Sequence, residues 1–295
     1  MEPTEIKRFS PLMFRLQEPL ADREQQMLAD LRHWMASQSS LCVAYSGGVD
    51  SALVAAIAQE QLAEAALAVT GISPALAPHL REEARLQAQW LGIAHLEVLT
   101  AELQDPAYAS NPTDRCYACK RELHRHLAEI SRAAAGAQVL DGVNHDDLGD
   151  HRPGIDAARE AGVCSPLAEL QIDKASVRRF SKALGFPWWD KPAQPCLASR
   201  FPYGEGITAS RLSRVAQAER WLQQRGFDRV RVRSQGETAR IEVPAARLAE
   251  LMQDDLRQEL VQVFLQLGFT AVSLDLEGLV SGKLNRSLQP IGTDV

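Results

Sequence analysis

The chain of 295 residues carries a formal net charge of −6, and 45% of its residues are hydrophobic. This length and composition are typical of a globular protein with one large or two modest domains, and the acidic balance disfavours nucleic acid as the main partner. No segment approaches the roughly 18 consecutive apolar residues of a membrane span, and the first residues lack the basic and apolar regions of a signal peptide. We therefore expect a cytoplasmic protein without a membrane or nucleic-acid partner.

Apolar strands and amphipathic or buried helices alternate through the first two thirds of the chain. Strands are predicted over 41–45, 66–72, 95–99 and 138–140, and helices over 23–35, 52–58, 78–91, 116–134 and 174–184. Pro78 suits the first turn of its helix, and Gly92 suits the residue that ends it. The alternation predicts an α/β fold, a parallel sheet with helices on both faces.

Residues from about 207 onward form a second predicted unit. Helices are predicted over 209–226 and 247–267, and strands over 229–233, 238–243 and 271–275. This order indicates a small sheet with helices on one face. We expect two domains, 1–206 and 207–295. The second is a small α+β domain for substrate binding or oligomerisation in a homo-oligomer.

A Ser-Gly-Gly-Val-Asp-Ser segment links the first predicted strand to its helix. A strand that turns through glycines into a helix N-terminus forms an anion site, because free N–H groups and the positive end of the helix dipole face the ligand. Gly47 and Gly48 let the backbone approach a phosphate, while Ser46 and Ser51 add hydroxyl donors. Asp50 fits such a site if a divalent cation joins it to the phosphate. An ordinary turn before a helix is the alternative interpretation.

This segment resembles the SGG-x-DS loop of the PP-loop ATP pyrophosphatases, which have an adenine nucleotide alpha-hydrolase-like fold. The resemblance implies that ATP, with Mg²⁺, is split into AMP and pyrophosphate, usually with adenylylation of an acceptor oxygen. Ligands collect at the carboxyl ends of parallel strands. We therefore expect the loops after the first, second and fourth strands to converge, and we assign Thr70, Asp141 and Gly142 to the ATP site.

Three of the five cysteines stand in polar, motif-like contexts. Cys116 and Cys119 form a C-x-x-C at the start of a predicted helix, a spacing that lets both sulfurs face one atom. A structural zinc site needs four ligands, and a second C-x-x-C is missing; a redox dithiol is a further alternative. Cys196 is the best third partner. Cys42 and Cys164 lie in apolar segments and are expected in the core.

Further motifs follow one another along most of the chain. They are DRCYACK at 114–120, DGVNHDD at 141–147, HRPG at 151–154, KP and CLASRFPYG within 191–204, ARIE at 239–242, DLEG at 275–278 and SG at 281–282. Together they resemble the LarE-type sulfur transferases. The resemblance implies adenylylation of a carboxylate of pyridinium-3,5-biscarboxylic acid mononucleotide. Conversion to a thiocarboxylate follows, in the biosynthesis of the nickel-pincer nucleotide cofactor.

Members of this family differ in the source of the sulfur. Some have only the cysteine of the Cys-Leu-x-Ser-Arg motif, here Cys196, and sacrifice its sulfur to leave dehydroalanine. Others add the C-x-x-C and hold a [4Fe-4S] cluster on three cysteines. Because Cys116 and Cys119 accompany Cys196, the resemblance implies the cluster type, with sulfide or another donor supplying the sulfur. Three thiolates leave one iron without a protein ligand.

Two arginines alternate along a predicted strand of the second unit. Arg231 and Arg233 are two residues apart, so their side chains share a face, and two guanidinium groups suit a phosphate. The resemblance implies that they hold the substrate's phosphate together with Arg200. A solvated strand face is the alternative, in which Glu242 is only a salt-bridge partner.

Three other functions are compatible with parts of the pattern. A cluster-dependent tRNA thiolase shares the ATP chemistry, but the acidic charge and the lack of a paired-cysteine zinc module weigh against it. An amide-forming PP-loop synthetase that uses ammonia leaves the three cysteines without a role. A protein that carries a cluster or zinc beside a vestigial nucleotide site is not an enzyme, and a pyrophosphate-release measurement distinguishes it.

Overall fold

The computed structural model describes residues 14–134, 136–149, 153–280 and 282–288. Its strands are β1 (Leu41–Ala44), β2 (Ala66–Ile72), β3 (Ala94–Leu99), β4 (Gln138–Leu140), β5 (Arg231–Gln235), β6 (Thr238–Glu242) and β7 (Ala271–Leu274). Its helices are α1 (Asp22–Ala36), α2 (Val49–Leu62), α3 (Pro78–Leu91), α4 (Pro106–Ala109), α5 (Arg115–Ala133), α6 (Pro153–Glu160), α7 (Pro166–Glu169), α8 (Lys174–Ala183), α9 (Ala209–Gln223), α10 (Leu248–Leu251) and α11 (Asp254–Gln266). His151, Arg152 and Ser281 of the predicted motifs lie outside the described residues.

The first four strands form one parallel sheet in the order β3-β2-β1-β4. Alternate residues of β1 point to opposite faces. Leu41 and Val43 lie in the core that contains α1, α2, α3 and α8, whereas Cys42 and Ala44 lie in a second core with Leu127 of α5. Helices therefore cover both faces, and the predicted α/β fold is confirmed.

The buried helix α2 fixes the position of the loop that precedes it. From Ser51 to Gln59 every residue of α2 is buried, because small and aliphatic side chains let α1, α8 and the sheet pack closely around it. The N-terminus of α2 follows directly on the carboxyl edge of the sheet, at the switch point between β1 and β4, because β2 and β3 lie on one side of β1 and β4 lies on the other. Open α/β sheets bind ligands at such a point.

The chain forms two compact units. The first comprises the residues through Asp105 together with Asp114–Gln194, and the second comprises Pro106–Thr113 and the residues from Pro195 onward. The predicted boundary after residue 206 thus falls inside the second unit.

Long-range contacts explain why the segment before residue 206 belongs to the second unit. Arg200 forms a buried ion pair with Glu219 of α9, and Asn111 Nδ2 donates to the carbonyl oxygen of Pro202 at 2.7 Å. Both contacts join residues far apart in sequence, so local composition does not reveal them.

The second unit contains a three-stranded sheet in the order β5-β6-β7. Strands β5 and β6 are antiparallel, and β6 and β7 are parallel. The predicted single helix over 247–267 is wrong, because the chain is extended at Gln253 (φ −61°, ψ 134°) between α10 and α11. Asp254 and Asp255 then lie in the first turn of α11, where the helix dipole favours negative charge. No helix in the described parts of the chain has the length and apolar character needed to cross a membrane.

Candidate functional site

Hydroxyl groups close the loop between β1 and α2. Ser46 Oγ and Ser51 Oγ are 3.0 Å apart, and Ser51 Oγ donates to the carbonyl oxygen of Gly48 at 3.2 Å. The N–H of Gly48 donates to Ser46 Oγ at 3.3 Å. These bonds fix the loop at the start of α2, where the first helical turn presents N–H groups without intrahelical acceptors. The predicted arrangement of strand, turn and helix N-terminus is therefore present.

Two glycines allow close packing around this loop. Gly47 has φ +69°, and a Cβ there would lie 3.1 Å from both Cα and Cβ of Ala84 on α3. A Cβ on Gly142 would lie 2.7 Å from the backbone nitrogen of Ser51. The loop after β4 therefore lies directly against the start of α2, as the sequence predicts. A side chain at position 142 would push the two loops apart.

Asp50 has two polar partners in the structure. Its Oδ2 forms an ion pair with Lys174 Nζ of α8, and its Oδ1 accepts a hydrogen bond from Asn144 Nδ2 at 3.2 Å. The side chains of Asp50 and Lys174 are 20% and 30% exposed, so both reach solvent at the loop. Sequence reasoning missed Lys174, because a lysine at the start of an amphipathic helix gives no local sign of this contact.

Thr70 forms hydrogen bonds at the end of β1, directly before the loop. Its hydroxyl donates to the carbonyl oxygen of Tyr45 at 2.7 Å and lies 2.8 Å from Nε2 of His95. Since the single hydroxyl hydrogen points to Tyr45, Nε2 of His95 must carry the proton that completes this contact. Burial lowers the pKa of His95, which favours the neutral ring. The structure thus gives Thr70 a role in holding the end of β1.

Asp141 is buried, and its carboxylate forms hydrogen bonds within the protein. Its Oδ1 accepts hydrogen bonds from Ser165 Oγ at 2.8 Å and from the N–H of Val143 at 3.1 Å. Burial raises the pKa of Asp141, against the lowering effect of these donors. The carboxylate therefore shapes the loop after β4, which carries Gly142 to the start of α2.

The C-x-x-C lies in the first turns of α5, as predicted. Cys116 is exposed and Cys119 is half-buried, and residues three apart lie on the same helix face. Gly154 at the start of α6 lies against this turn, since a Cβ there would be 3.0 Å from Cγ of Lys120 and 3.6 Å from the carbonyl oxygen of Cys116. The described end of the HRPG motif therefore contacts the turn that carries the cysteines.

In the second unit, Cys196 caps a short 3-10 turn, Leu197–Arg200, and its side chain is exposed. The Nη1 of Arg200 donates to the carbonyl oxygen of Pro195 at 2.8 Å and to Ser199 Oγ at 2.9 Å. Its Nε and Nη2 donate to the two carboxylate oxygens of Glu219 at 2.8 and 3.0 Å. The buried guanidinium thus fixes the backbone around an exposed thiol.

A second buried pair supports the same turn. Arg233 Nε and Nη2 donate to Glu242 at 3.0 and 2.9 Å, and its Nη1 donates to the carbonyl oxygen of Ser199 at 2.7 Å. Arg233 is 5% and Glu242 0% exposed. Truncating Glu242 would leave the buried charge of Arg233 without its carboxylate, which costs about 3–5 kcal/mol. The interpretation of Glu242 as a salt-bridge partner of this strand agrees with these contacts.

Arg231 differs from the other two arginines. Within the parts of the chain that the structure describes, its half-buried guanidinium has no hydrogen-bonding acceptor. Burial and the positive charges of Arg200 and Arg233 lower the pKa of Arg231. Because Arg200 and Arg233 are already paired with carboxylates, the half-buried Arg231 is the guanidinium of this group that remains available to an anion.

The predicted cysteine set is divided between the two units. Cys116 and Cys119 belong to the first, and Cys196 belongs to the second. The described residues contain no group of three or more His, Cys, Asp or Glu side chains arranged to hold a metal ion.

Comparison with known proteins agrees with the loop geometry. A sequence profile of the asparagine synthase family matches residues 26–110, which include β1, the loop and α2. The chain is 36% identical over 250 residues to the pyridinium-3,5-bisthiocarboxylic acid mononucleotide synthase of Lactiplantibacillus plantarum, across 83% of this chain and 89% of that protein. The chain belongs to the LarE-type sulfur transferases. It is therefore an ATP-dependent enzyme of the PP-loop superfamily.

The chain is also similar to two uncharacterized proteins. An uncharacterized protein of Synechocystis is 54% identical over 261 residues, across 88% of this chain and 97% of that protein. An uncharacterized protein of Methanocaldococcus jannaschii is 27% identical over 237 residues, across 80% of this chain and 89% of that protein. Each of these matches covers both units of this LarE-type chain.

Proposed function

We propose that this enzyme adenylylates a carboxylate of pyridinium-3,5-biscarboxylic acid mononucleotide with ATP and then converts it to a thiocarboxylate. The reaction would serve biosynthesis of the nickel-pincer nucleotide cofactor. The observation that carries the proposal is the Ser46–Ser51 loop at the switch point of the sheet, in a chain that matches the Lactiplantibacillus plantarum synthase over most of both lengths. The cytoplasmic location and the homo-oligomeric state stay predictions from the sequence.

The activation step uses the first unit. The substrate is the magnesium complex of ATP, and the start of α2 with its N–H groups receives the β- and γ-phosphates. Asp50 would bind the magnesium ion that accompanies them. As the carboxylate attacks the α-phosphorus, negative charge grows on the departing pyrophosphate, and the fixed dipoles of the loop stabilise it.

The acceptor would be held by the second unit. Arg200 and Arg233 already bind Glu219 and Glu242, so we propose that they fix the Cys196 turn and that their charges are neutralised by these partners. Arg231 is the proposed direct ligand of the substrate's phosphate. In this proposal Arg200 and Arg233 hold the turn in place, and Arg231 binds the phosphate.

For sulfur delivery we propose that Cys116, Cys119 and Cys196 ligate a [4Fe-4S] cluster. The chemistry of the individual donors supports the proposal, since two of the thiols lie on one helix face and the third is exposed on a turn held by buried arginines. When bound, such a cluster would offer one iron without a protein ligand, at which exogenous sulfide can be held. The same exposed, fixed Cys196 also suits the sacrificial mechanism, in which its own sulfur is transferred.

Pyrophosphate release tests the proposed activation step. With magnesium and ATP, we expect release to depend on the biscarboxylate nucleotide and to fall to background with nicotinic acid or AMP as the acceptor. Equal release with every acceptor, or none with the biscarboxylate nucleotide, would contradict the proposed substrate. A protein with a vestigial nucleotide site would release none under any condition.

Replacing Arg231 with glutamine should weaken binding of the biscarboxylate nucleotide by about 1.5–3 kcal/mol, the usual value of a hydrogen bond to a charged group. Its loss should leave the fold intact, because no ion pair within 4.0 Å joins Arg231 to a carboxylate in the described residues. Burial lowers the pKa of Arg231, and the charges of Glu242 and Glu219 offset this effect only in part. Calorimetric titration of substrate and of ATP measures both sites, with Arg220→Gln, at an exposed position of α9, as the matched control. Weaker ATP binding with unchanged substrate binding would place Arg231 in the other site.

A further inference from the structure

Lys174 is fixed at the pyrophosphate loop by its own backbone as well as by its side chain. It is the first residue of α8, whose N-cap Asp173 accepts from the N–H of Ser176 at 2.7 Å. The N–H of Lys174 donates to Asp146 Oδ2 at 3.1 Å. The loop after β4 therefore determines where the side chain starts, and its ammonium group reaches Asp50.

The charge balance of the loop changes when its substrate binds. The magnesium complex of ATP brings a cation that competes with Lys174 for Asp50, and it brings phosphate oxygens that attract an ammonium group. The common nucleoside-triphosphate loop carries a lysine for this purpose, but the segment from Ser46 to Ser51 has none. Lys174 lies 124 positions after Asp50 yet holds its ammonium group at this loop.

We propose that Lys174 is the lysine of this phosphate site: it pairs with Asp50 before the substrate binds and then binds the β- or γ-phosphate oxygens of ATP. The inference rests on the ATP half of the proposed function. In the reaction, a carboxylate oxygen forms a bond to the α-phosphorus while the bond from that phosphorus to the bridging oxygen breaks. The bridging oxygen keeps the electron pair and leaves on pyrophosphate, where the ammonium group stabilises the new charge.

The other lysine at this loop has a different environment. Lys191 Nζ forms an ion pair with Glu83 at 2.6 Å and donates to the carbonyl oxygen of Gly47 at 3.1 Å. Its side chain is 13% exposed. Lys191 therefore holds the loop backbone to α3, whereas Lys174 contacts the acidic side chain for which magnesium competes.

Direct binding separates phosphate recognition from a structural role. In calorimetric titrations with magnesium present, Lys174→Gln should weaken pyrophosphate and ATP binding by about tenfold or more, the loss of one charged hydrogen bond, and leave AMP binding unchanged. Lys182→Gln removes the same charge two turns along α8, where the lysine pairs with Glu18, and should change none of the three affinities. Equal loss for AMP and pyrophosphate, or no loss for either, would overturn the proposal.

A double variant tests whether Lys174 acts only through Asp50. In an Asp50→Asn background the ion pair is already gone, so a lysine that only neutralises Asp50 would have no further effect. We expect Lys174→Gln to weaken pyrophosphate binding in this background too, whereas an unchanged affinity would overturn the proposal.

If the wild-type protein bound neither ATP nor pyrophosphate, the ATP half of the proposed function would fall as well. If it bound both but not the biscarboxylate nucleotide, only the proposed substrate would fall.

Discussion

Asp50→Asn is expected to reduce substrate-dependent pyrophosphate release by about a hundredfold or more, the scale of losing several kcal/mol of charge stabilisation in the transition state. Asparagine keeps the size of the side chain and an oxygen that can accept from Asn144, which bonds Oδ1 in the wild-type protein. What it loses is the negative charge that joins magnesium to the loop. The expected defect is therefore chemical and leaves the fold intact.

The measurement is pyrophosphate release at saturating ATP and nucleotide, with thermal unfolding to confirm the fold. Asp156→Asn is the matched control, since Asp156 lies on α6 with a side chain 61% exposed. It should release pyrophosphate at the wild-type rate. Undiminished release by Asp50→Asn would show that the loop does not bind the metal complex of ATP through this residue.

Replacing Cys116 or Cys119 with alanine should end repeated turnover. In the proposed cluster enzyme each variant keeps only two of three thiolate ligands, so the cluster is released or degraded. Cys164→Ala provides the control, because Cys164 is half-buried beside β4 and is not among the proposed ligands. It should retain wild-type iron content and turnover.

Intact-protein mass after turnover separates the two sulfur sources. With excess sulfide, ATP and substrate under anaerobic conditions, the cluster mechanism predicts several products per chain and an unchanged chain mass. The sacrificial mechanism predicts one product per chain and loss of the mass of H₂S at Cys196. A single turnover with that loss, undisturbed in Cys116→Ala, would show that the C-x-x-C does not serve sulfur transfer.

Local sequence patterns were sufficient for much of the first unit. Strands β2 and β4 and helix α3 have the predicted bounds. These bounds are determined by hydrophobic runs and by residues at the ends of each element, which are visible in the local sequence. Gly92 ends α3 in the left-handed conformation with φ 67°, as a glycine after a helix suggests. The pyrophosphate loop could also be predicted from the sequence, because its glycines, hydroxyl residues and carboxylate are contiguous.

Partners that depend on tertiary contacts could not be predicted. The sequence places Arg231 and Arg233 on one face of the strand but does not show which of them pairs with Glu242. In the register of β5 and β6, Arg231 lies opposite Glu242 and Arg233 lies opposite Arg240. The side chain of Glu242 nevertheless binds Arg233, the diagonal neighbour. Lys174 and Asp50 meet only because α8 packs against α2. These contacts determine which charges are already neutralised, and therefore which are available to a ligand.

Product analysis tests the central claim most directly. The wild-type enzyme is incubated anaerobically with the biscarboxylate nucleotide, magnesium, ATP and isotopically labelled sulfide, and the nucleotide fraction is examined by mass spectrometry. We expect oxygen-to-sulfur exchange in the pyridinium carboxylate, with one AMP formed for each sulfur gained, and no exchange when ATP is omitted. AMP formation without a sulfur-containing nucleotide, or sulfur gain that does not require ATP, would contradict ATP-dependent sulfur transfer to this substrate.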